Sequence, residues 1–141
     1  MLSDLITSKS RVKLLSIFLG NPFEMFHVRE LVRRTSDEIN AVRRELLFLE
    51  KKGILGKELR ANRIYYSLSK NYPFYFDLLR TGVKTVGLGT DILVNRAKLG
   101  KIKYAMFSGK FARRIKVEPD EINLLLVGTV VLPELTLLVR A

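Results

Sequence analysis

The sequence predicts an α+β chain: three helices and a two-stranded hairpin, then a helical linker, then a partial α/β segment. Three observations predict it. Apolar residues recur at three- and four-residue spacing between Lys9 and Lys51, the period of a helix with one buried face. Two short β-type runs, Ile54–Arg60 and Arg63–Leu68, flank a two-residue Ala61-Asn62 turn. A second pair of β-type runs, Lys103–Ser108 and Glu121–Val127, brackets a glycine-led stretch at Gly109–Arg114. The expected divisions are residues 1–70, 71–100 and 101–141.

The first helix is expected over 9–19, with Val12, Leu15, Phe18 and Leu19 inward and Gly20-Asn21-Pro22 as its stop. After the short run Phe23–Val28, a second helix is expected over 27–34. Val28, Leu31 and Val32 lie on one side of it, and Arg29, Arg33 and Arg34 on the other. Thr35-Ser36-Asp37 is a turn rich in helix-capping residues. The third helix opens at Glu38 and Ile39 and carries the clearest stripe, Ile39, Val42, Leu46 and Leu49. Gly53 stops it after Lys51-Lys52, where cations suit the negative end of the helix dipole. Asn62 tolerates the positive φ of a tight hairpin turn. Pro73 suits a first helical turn ahead of the aromatic run Tyr72, Phe74, Tyr75, Phe76. Those aromatics are expected to pack internally or against a second copy rather than to stack on bases. A helix is expected within 81–100, and another over Pro133–Arg140.

Composition narrows the chemistry. With 141 residues and 48% apolar content the chain can bury a core. It has no Cys, which excludes disulfides, thiolate nucleophiles and Cys-type zinc sites, and its one His, His27, excludes a His-cluster metal site. His27 is expected to be structural or exposed. Twenty-five Lys and Arg against 14 Asp and Glu give a net charge of +11, which favours an anionic partner. Both halves are basic: 15 cations and 9 acids in residues 1–80, and 10 and 5 in residues 81–141. No secretory signal pattern occurs at the start, and Asn123, Gly128, Pro133 and Glu134 interrupt the one apolar run, Ile122–Val139. The expectation is a cytoplasmic chain without a membrane partner and without a cofactor.

Asn40, Arg43 and Arg44 fall off the apolar stripe, near the N-terminal half of the third helix. A helix enters the major groove with such a face outward, where Asn can bond adenine and Arg can bond guanine in bidentate fashion. Arg33 and Arg34 could reach phosphate, and Lys57, Arg60, Asn62 and Arg63 line the hairpin, placed for backbone or minor groove. The alternative is a solvated basic face, with Glu45 pairing nearby cations. The run HVRELVRRTSDEINAVRRELLFLEKKGILGKELRANRIYYSLS resembles a winged helix-turn-helix domain of the ArsR/MarR kind. The resemblance covers about half the chain. It implies a regulator that binds double-stranded DNA, as a homodimer joined through flanking helices, here residues 72–99. RNA binding and protein interaction remain alternatives.

Residues 104–128, YAMFSGKFARRIKVEPDEINLLLVG, resemble the start of a minimal nucleotidyltransferase of the polymerase-beta superfamily. Gly109, Phe111-Ala112-Arg113, Ile122 and Leu124 stand at matching positions. That resemblance implies a phosphate-binding glycine turn and two carboxylates at i and i+2 on the second strand, holding metal for phosphoryl transfer. Here Lys110 replaces the serine of the motif, and Glu121 and Asn123 stand where two aspartates belong. Asn123 brings no charge to a metal. The expectation is therefore a degenerate, non-catalytic segment, with no metal, in which Gly109, Lys110 and Arg113 could hold a nucleotide or phosphate. An active enzyme is the alternative, and so is a truncated βαβ element kept for folding or dimer contacts.

Overall fold

A computed structural model describes residues 1–140, which form two compact units, Met1–Leu78 and Leu79 onward. The first unit contains α1 (Leu2–Leu5), α2 (Lys9–Gly20), β1 (Phe26–His27), α3 (Val28–Thr35), α4 (Ile39–Lys51), β2 (Leu55–Arg60) and β3 (Arg63–Leu68). Helix α5 (Tyr75–Thr85) contains the boundary. From Lys9 to Leu68 the order helix, helix, turn, helix, hairpin is the one the sequence predicts; the short helix α1 ahead of it lies outside that prediction.

The sheet has three strands in the order β1-β3-β2, all antiparallel, one more than the predicted hairpin. The extra strand exists because His27 stays extended (φ −92°, ψ 163°) to cap α3, which lays Phe26 and His27 opposite Tyr66 and Tyr65. Ala61 and Asn62, at φ 44° and 62°, close the two-residue turn between β2 and β3.

The core of this unit is one apolar cluster. Leu14, Phe18 and Leu19 of α2, Phe26 of β1, Leu31 of α3 and Val42, Leu46 and Leu49 of α4 are all essentially inaccessible to solvent. The rings of Phe18 and Phe26 meet edge to face at 5.5 Å. Each such side chain contributes roughly 1.5–3 kcal/mol when withdrawn from water.

One acid interrupts the apolar face. Glu45 of α4 is buried, and its carboxylate accepts from Ser8 Oγ at 2.8 Å and Arg11 Nε at 2.7 Å. The Arg11 guanidinium also lies 3.7 Å over the Phe48 ring. Ser8 in turn caps α2 by accepting from the Arg11 amide. The N-terminal turn of α2 is thereby tied to the middle of α4.

The second unit contains α6 (Leu88–Val94), α7 (Arg96–Leu99), β4 (Gly100–Phe107), α8 (Gly109–Ala112), β5 (Leu124–Val130) and α9 (Leu132–Arg140). Much of the stretch expected as a linker thus belongs to this unit, where α6 and α7 pack against α9. Four expectations need correction. Pro73 lies in the turn before α5 rather than in the helix. The helix at Gly109 lasts one turn, because Arg114 enters the left-handed region at φ 56°. Strands β4 and β5 pair antiparallel, so they do not form a parallel βαβ unit. Both strands are also displaced from their predicted positions: β4 starts at Gly100, and β5 starts at Leu124 and continues to Val130. The start of β5 is delayed because Glu118–Asn123 is tied up locally, with the Glu121 amide on the Glu118 carbonyl and Asn123 Nδ2 on the Glu121 carbonyl. The strand runs on through Gly128 (φ 139°), where a Cβ would sit 2.1 Å from the Lys101 carbonyl oxygen. Only glycine fits there, beside the register shift between Ile102 and Tyr104.

Replacing Arg11 by Ala leaves the Glu45 carboxylate buried with only a hydroxyl partner. Urea denaturation is expected to show a loss of about 2 kcal/mol in unfolding free energy. An unchanged midpoint and slope would mean that this pair does not hold α2 to α4.

Candidate nucleic-acid interface

Helix α3 begins at its own histidine. His27 Nδ1 accepts from the Glu30 amide at 3.3 Å, and the imidazole meets the Tyr65 ring edge to face. The helix ends with Ser36 in the left-handed region at φ 56°. The turn to α4 is fixed from outside by Lys13 of α2. Its ammonium donates to the Thr35 carbonyl at 2.9 Å and to the Asp37 carboxylate at 2.5 Å. Hydrogen bonds from Lys13 and Ser10 hold the Asp37 carboxyl below the usual carboxylate range. Inside the turn, the Asp37 amide donates to Thr35 Oγ1, which itself donates to the Leu31 carbonyl.

The N-terminus of α4 is capped by Glu38, whose carboxylate accepts from the Asn40 and Ala41 amides. Those amides are therefore not offered to a phosphate, and recognition by α4 has to come from side chains. Asn40, Arg43, Arg44 and Leu47 stand exposed along its outer face, while Val42, Glu45, Leu46 and Leu49 are buried. Of the predicted stripe, Val42, Leu46 and Leu49 are buried while Ile39 is half-buried and lines the basic surface. The predicted free face is exposed, and Glu45 is an unforeseen member of the buried side.

Some cations of this unit are paired with acids and others are not, Lys9, Lys51, Lys52 and Lys70 being among the unpaired in the described residues. Arg34, Lys57 and Arg60 are each held by an acid of the same unit. Arg34 donates to Glu30 at 2.9 Å and lies over the Phe26 ring, Lys57 pairs with Glu50 at 2.8 Å, and Arg60 pairs with Glu58 at 2.7 Å. The hydrogen bond from Lys57 to Glu50 raises the lysine above its ordinary range, and that from Arg60 to Glu58 does the same for the arginine. The side chains of Arg29, Arg33, Arg43, Arg44 and Arg63 have no ion-pair partner among the described residues. Four of these five converge. Arg29, Arg33 and Arg63 line one depression with His27, Val32 and Ile39, and Arg29, Arg43, Asn62 and Arg63 line the adjoining one with Leu47 and Ile64. The result is a basic cleft bounded by α3, the outer face of α4 and the hairpin tip. Arg29 is the residue that sequence reasoning did not assign to the site. Its spacing of four from Arg33, on the polar side of α3, was the available signal.

In the second unit, the residues expected around a phosphate are engaged with one another. Lys110 pairs with Glu121, and Arg113 Nε donates to the Gly109 carbonyl at 3.2 Å. Ser108 Oγ accepts from the Phe111 amide and donates to Asn123 Oδ1 at 2.7 Å. The hydrogen bond from Lys110, with a second from the Glu118 amide, lowers the Glu121 carboxyl from its usual range. Glu121 and Asn123 precede β5 instead of sharing a strand face, which corrects the expected i, i+2 geometry. Among the described residues no three His, Asp or Glu side chains gather as a metal cluster would require, and no helix is long and apolar enough to cross a membrane.

No protein-family model matches the chain, and no curated protein matches it. Among solved structures, two of HlyU from Vibrio cholerae N16961, one of them the reduced protein, are similar to it at 23% identity and a TM-score of 0.43. Each covers 57% of this chain, which spans 83% and 86% of theirs. None of these comparisons supports a nucleotidyltransferase segment.

The Lys13–Asp37 clamp makes the turn between α3 and α4 sensitive to acid. A carboxyl with a depressed folded pKa contributes stability above its unfolded value, and loses it as pH falls through the folded one. The stability difference between the natural chain and Asp37→Asn is expected to be constant above about pH 5 and to shrink below about pH 4. A difference independent of pH down to about pH 2.5 would contradict the clamp.

Proposed function

We propose that the chain is a regulator that binds double-stranded DNA, with α4 in the major groove and the cleft beside it on the phosphate backbone. The observation that carries this reading is the division of the cations. Five arginines without acid partners share the α3, α4 and hairpin surface, while Arg34, Lys57 and Arg60 beside them are paired with acids. Lys9, Lys51, Lys52 and Lys70 of the unit also carry no ion pair among the described residues. Phosphate neutralisation needs charge that is not already spent on a carboxylate. Asn40 and Arg44 are the base-reading candidates, being exposed in the N-terminal half of α4. Arg29, Arg33 and Arg63 are the backbone contacts, and Arg43 lies between the two groups. Arg34, Lys57 and Arg60 contribute less, because binding through them breaks an existing pair.

The reading includes a homodimer joined through residues 72–99, supported by exposed Phe74, Phe76, Leu93 and Val94. It leaves out nucleotidyl transfer and a phosphate ligand at Gly109, Lys110 and Arg113. An anion there would have to displace Glu121 from Lys110. Incubation with labelled nucleoside triphosphates and magnesium is expected to give no labelled product.

Fluorescence anisotropy with a duplex across a salt series tests the proposal. The slope of log affinity against log salt is expected at roughly −4 to −8. Arg29→Ala, Arg33→Ala and Arg63→Ala should weaken all sequences alike and reduce the slope by about 1 each. Arg44→Ala or Asn40→Ala should cost about 1–3 kcal/mol at the preferred base and flatten sequence preference. Lys57→Ala and Arg60→Ala should change affinity by less than about twofold, as expected of surface pairs. Equal losses across both classes of cation would contradict the division. A slope near zero would remove duplex DNA as the partner and leave the protein-interaction reading.

A further inference from the structure

The second unit holds a cavity of about 500 Å³, within the size range of small-molecule sites. It lies between the second half of α5, helix α6, the end of β4 and the turn α8. Its origin can be traced to small residues. A Cβ on Gly89 would sit 2.2 Å from the Val83 carbonyl oxygen, so glycine alone lets α6 approach α5 this closely. Gly109 and Ala112 then leave the opposite wall without side-chain bulk. The floor is apolar, formed chiefly by Val83, Ile92, Met106 and Phe107. Lys84 and Arg80, one turn apart on α5, are the charged residues among those that line it, and no Asp or Glu is among them. The Lys84 ammonium has no ion-pair partner among the described residues.

We propose that this cavity binds an organic anion: one carboxylate or sulfonate on an aromatic or branched apolar body. The body occupies the space over Ile92 and Phe107, and the anionic group meets Lys84 at the mouth. Charge complementarity selects the anion, since a cationic ligand would face the Lys84 ammonium with no Asp or Glu among the lining residues. The apolar wall selects the body, because water there has few polar partners. The proposal does not rest on the DNA reading; it concerns residues of the second unit alone.

The probe is anilinonaphthalene sulfonate, titrated into the full chain by fluorescence and by calorimetry. Its uncharged relative N-phenylnaphthylamine is the control. One saturable site per chain is expected. Lys84→Gln should weaken the sulfonate about tenfold, the equivalent of losing one charge-assisted hydrogen bond, and leave the uncharged relative unchanged. Ala112→Phe should abolish both by filling the space, with circular dichroism confirming that the variant is folded. Leu137→Asn, which alters an exposed apolar side chain of α9 outside the cavity, should change neither. The proposal is overturned if binding fails to saturate, if Lys84→Gln leaves the sulfonate unaffected, or if Leu137→Asn removes the signal.

Discussion

The first unit depends on one constraint: α4 must be gripped from a single side, so that its other side stays empty. The apolar stripe provides most of the grip, and the Glu45 carboxylate fixes its position. The packing of Val42, Leu46 and Leu49 sets the distance to the neighbouring helices, and the hydrogen bonds of Glu45 add a directional requirement to it. A buried carboxylate that accepts from Ser8 and Arg11 cannot slide without losing two hydrogen bonds. Arg11 is itself held over Phe48, so the same contact fixes helix rotation as well as position. The free face with Asn40, Arg43 and Arg44 is the consequence.

The same economy governs charge. Acids are placed where they neutralise chosen cations: Glu30 for Arg34, Glu50 for Lys57, Glu58 for Arg60 and Asp37 for Lys13. The exposed Arg60–Glu58 pair adds little stability, whereas the Lys13–Asp37 pair also fixes the α3–α4 turn. Among the cations left unpaired, Arg29, Arg33, Arg43 and Arg63 are the ones that line one cleft. A net charge of +11 spread evenly would attract polyanions without orienting them. Concentrated between two helices and a hairpin tip, it defines a direction of approach.

Much of the first unit was legible because its signals are local. The stripe of α4, the capping turn and the Ala61-Asn62 hairpin all follow from spacing and turn chemistry over a few residues. The burial of Glu45 was not legible, since its partners lie 34 and 37 residues away on α2. The split of the cations was hidden for a related reason. Glu50 and Lys57 lie on different elements, and the sequence records only that both are charged. In the second unit the failures come from glycine and from local side-chain bonds. Gly128 reads as an interruption of the apolar run, yet it lies inside β5, where a Cβ would collide with the facing backbone, as one on Gly100 at the start of β4 would. Glu121 and Asn123 read as strand residues, yet their hydrogen bonds to Lys110 and Ser108 make them turn residues. A motif resemblance built on spacing could not detect that.

The proposed DNA contact requires one face of the first unit, rather than positive charge in general, to meet the duplex. Backbone amide chemical shifts, followed by NMR as a short duplex is titrated in, test it most directly. The account predicts that perturbations concentrate at Arg29, Arg33, Asn40, Arg43, Arg44, Asn62 and Arg63, and that the second-unit cations Lys101, Lys103 and Lys110 change little. Perturbations centred on those second-unit lysines, or spread evenly over every basic residue, would contradict it.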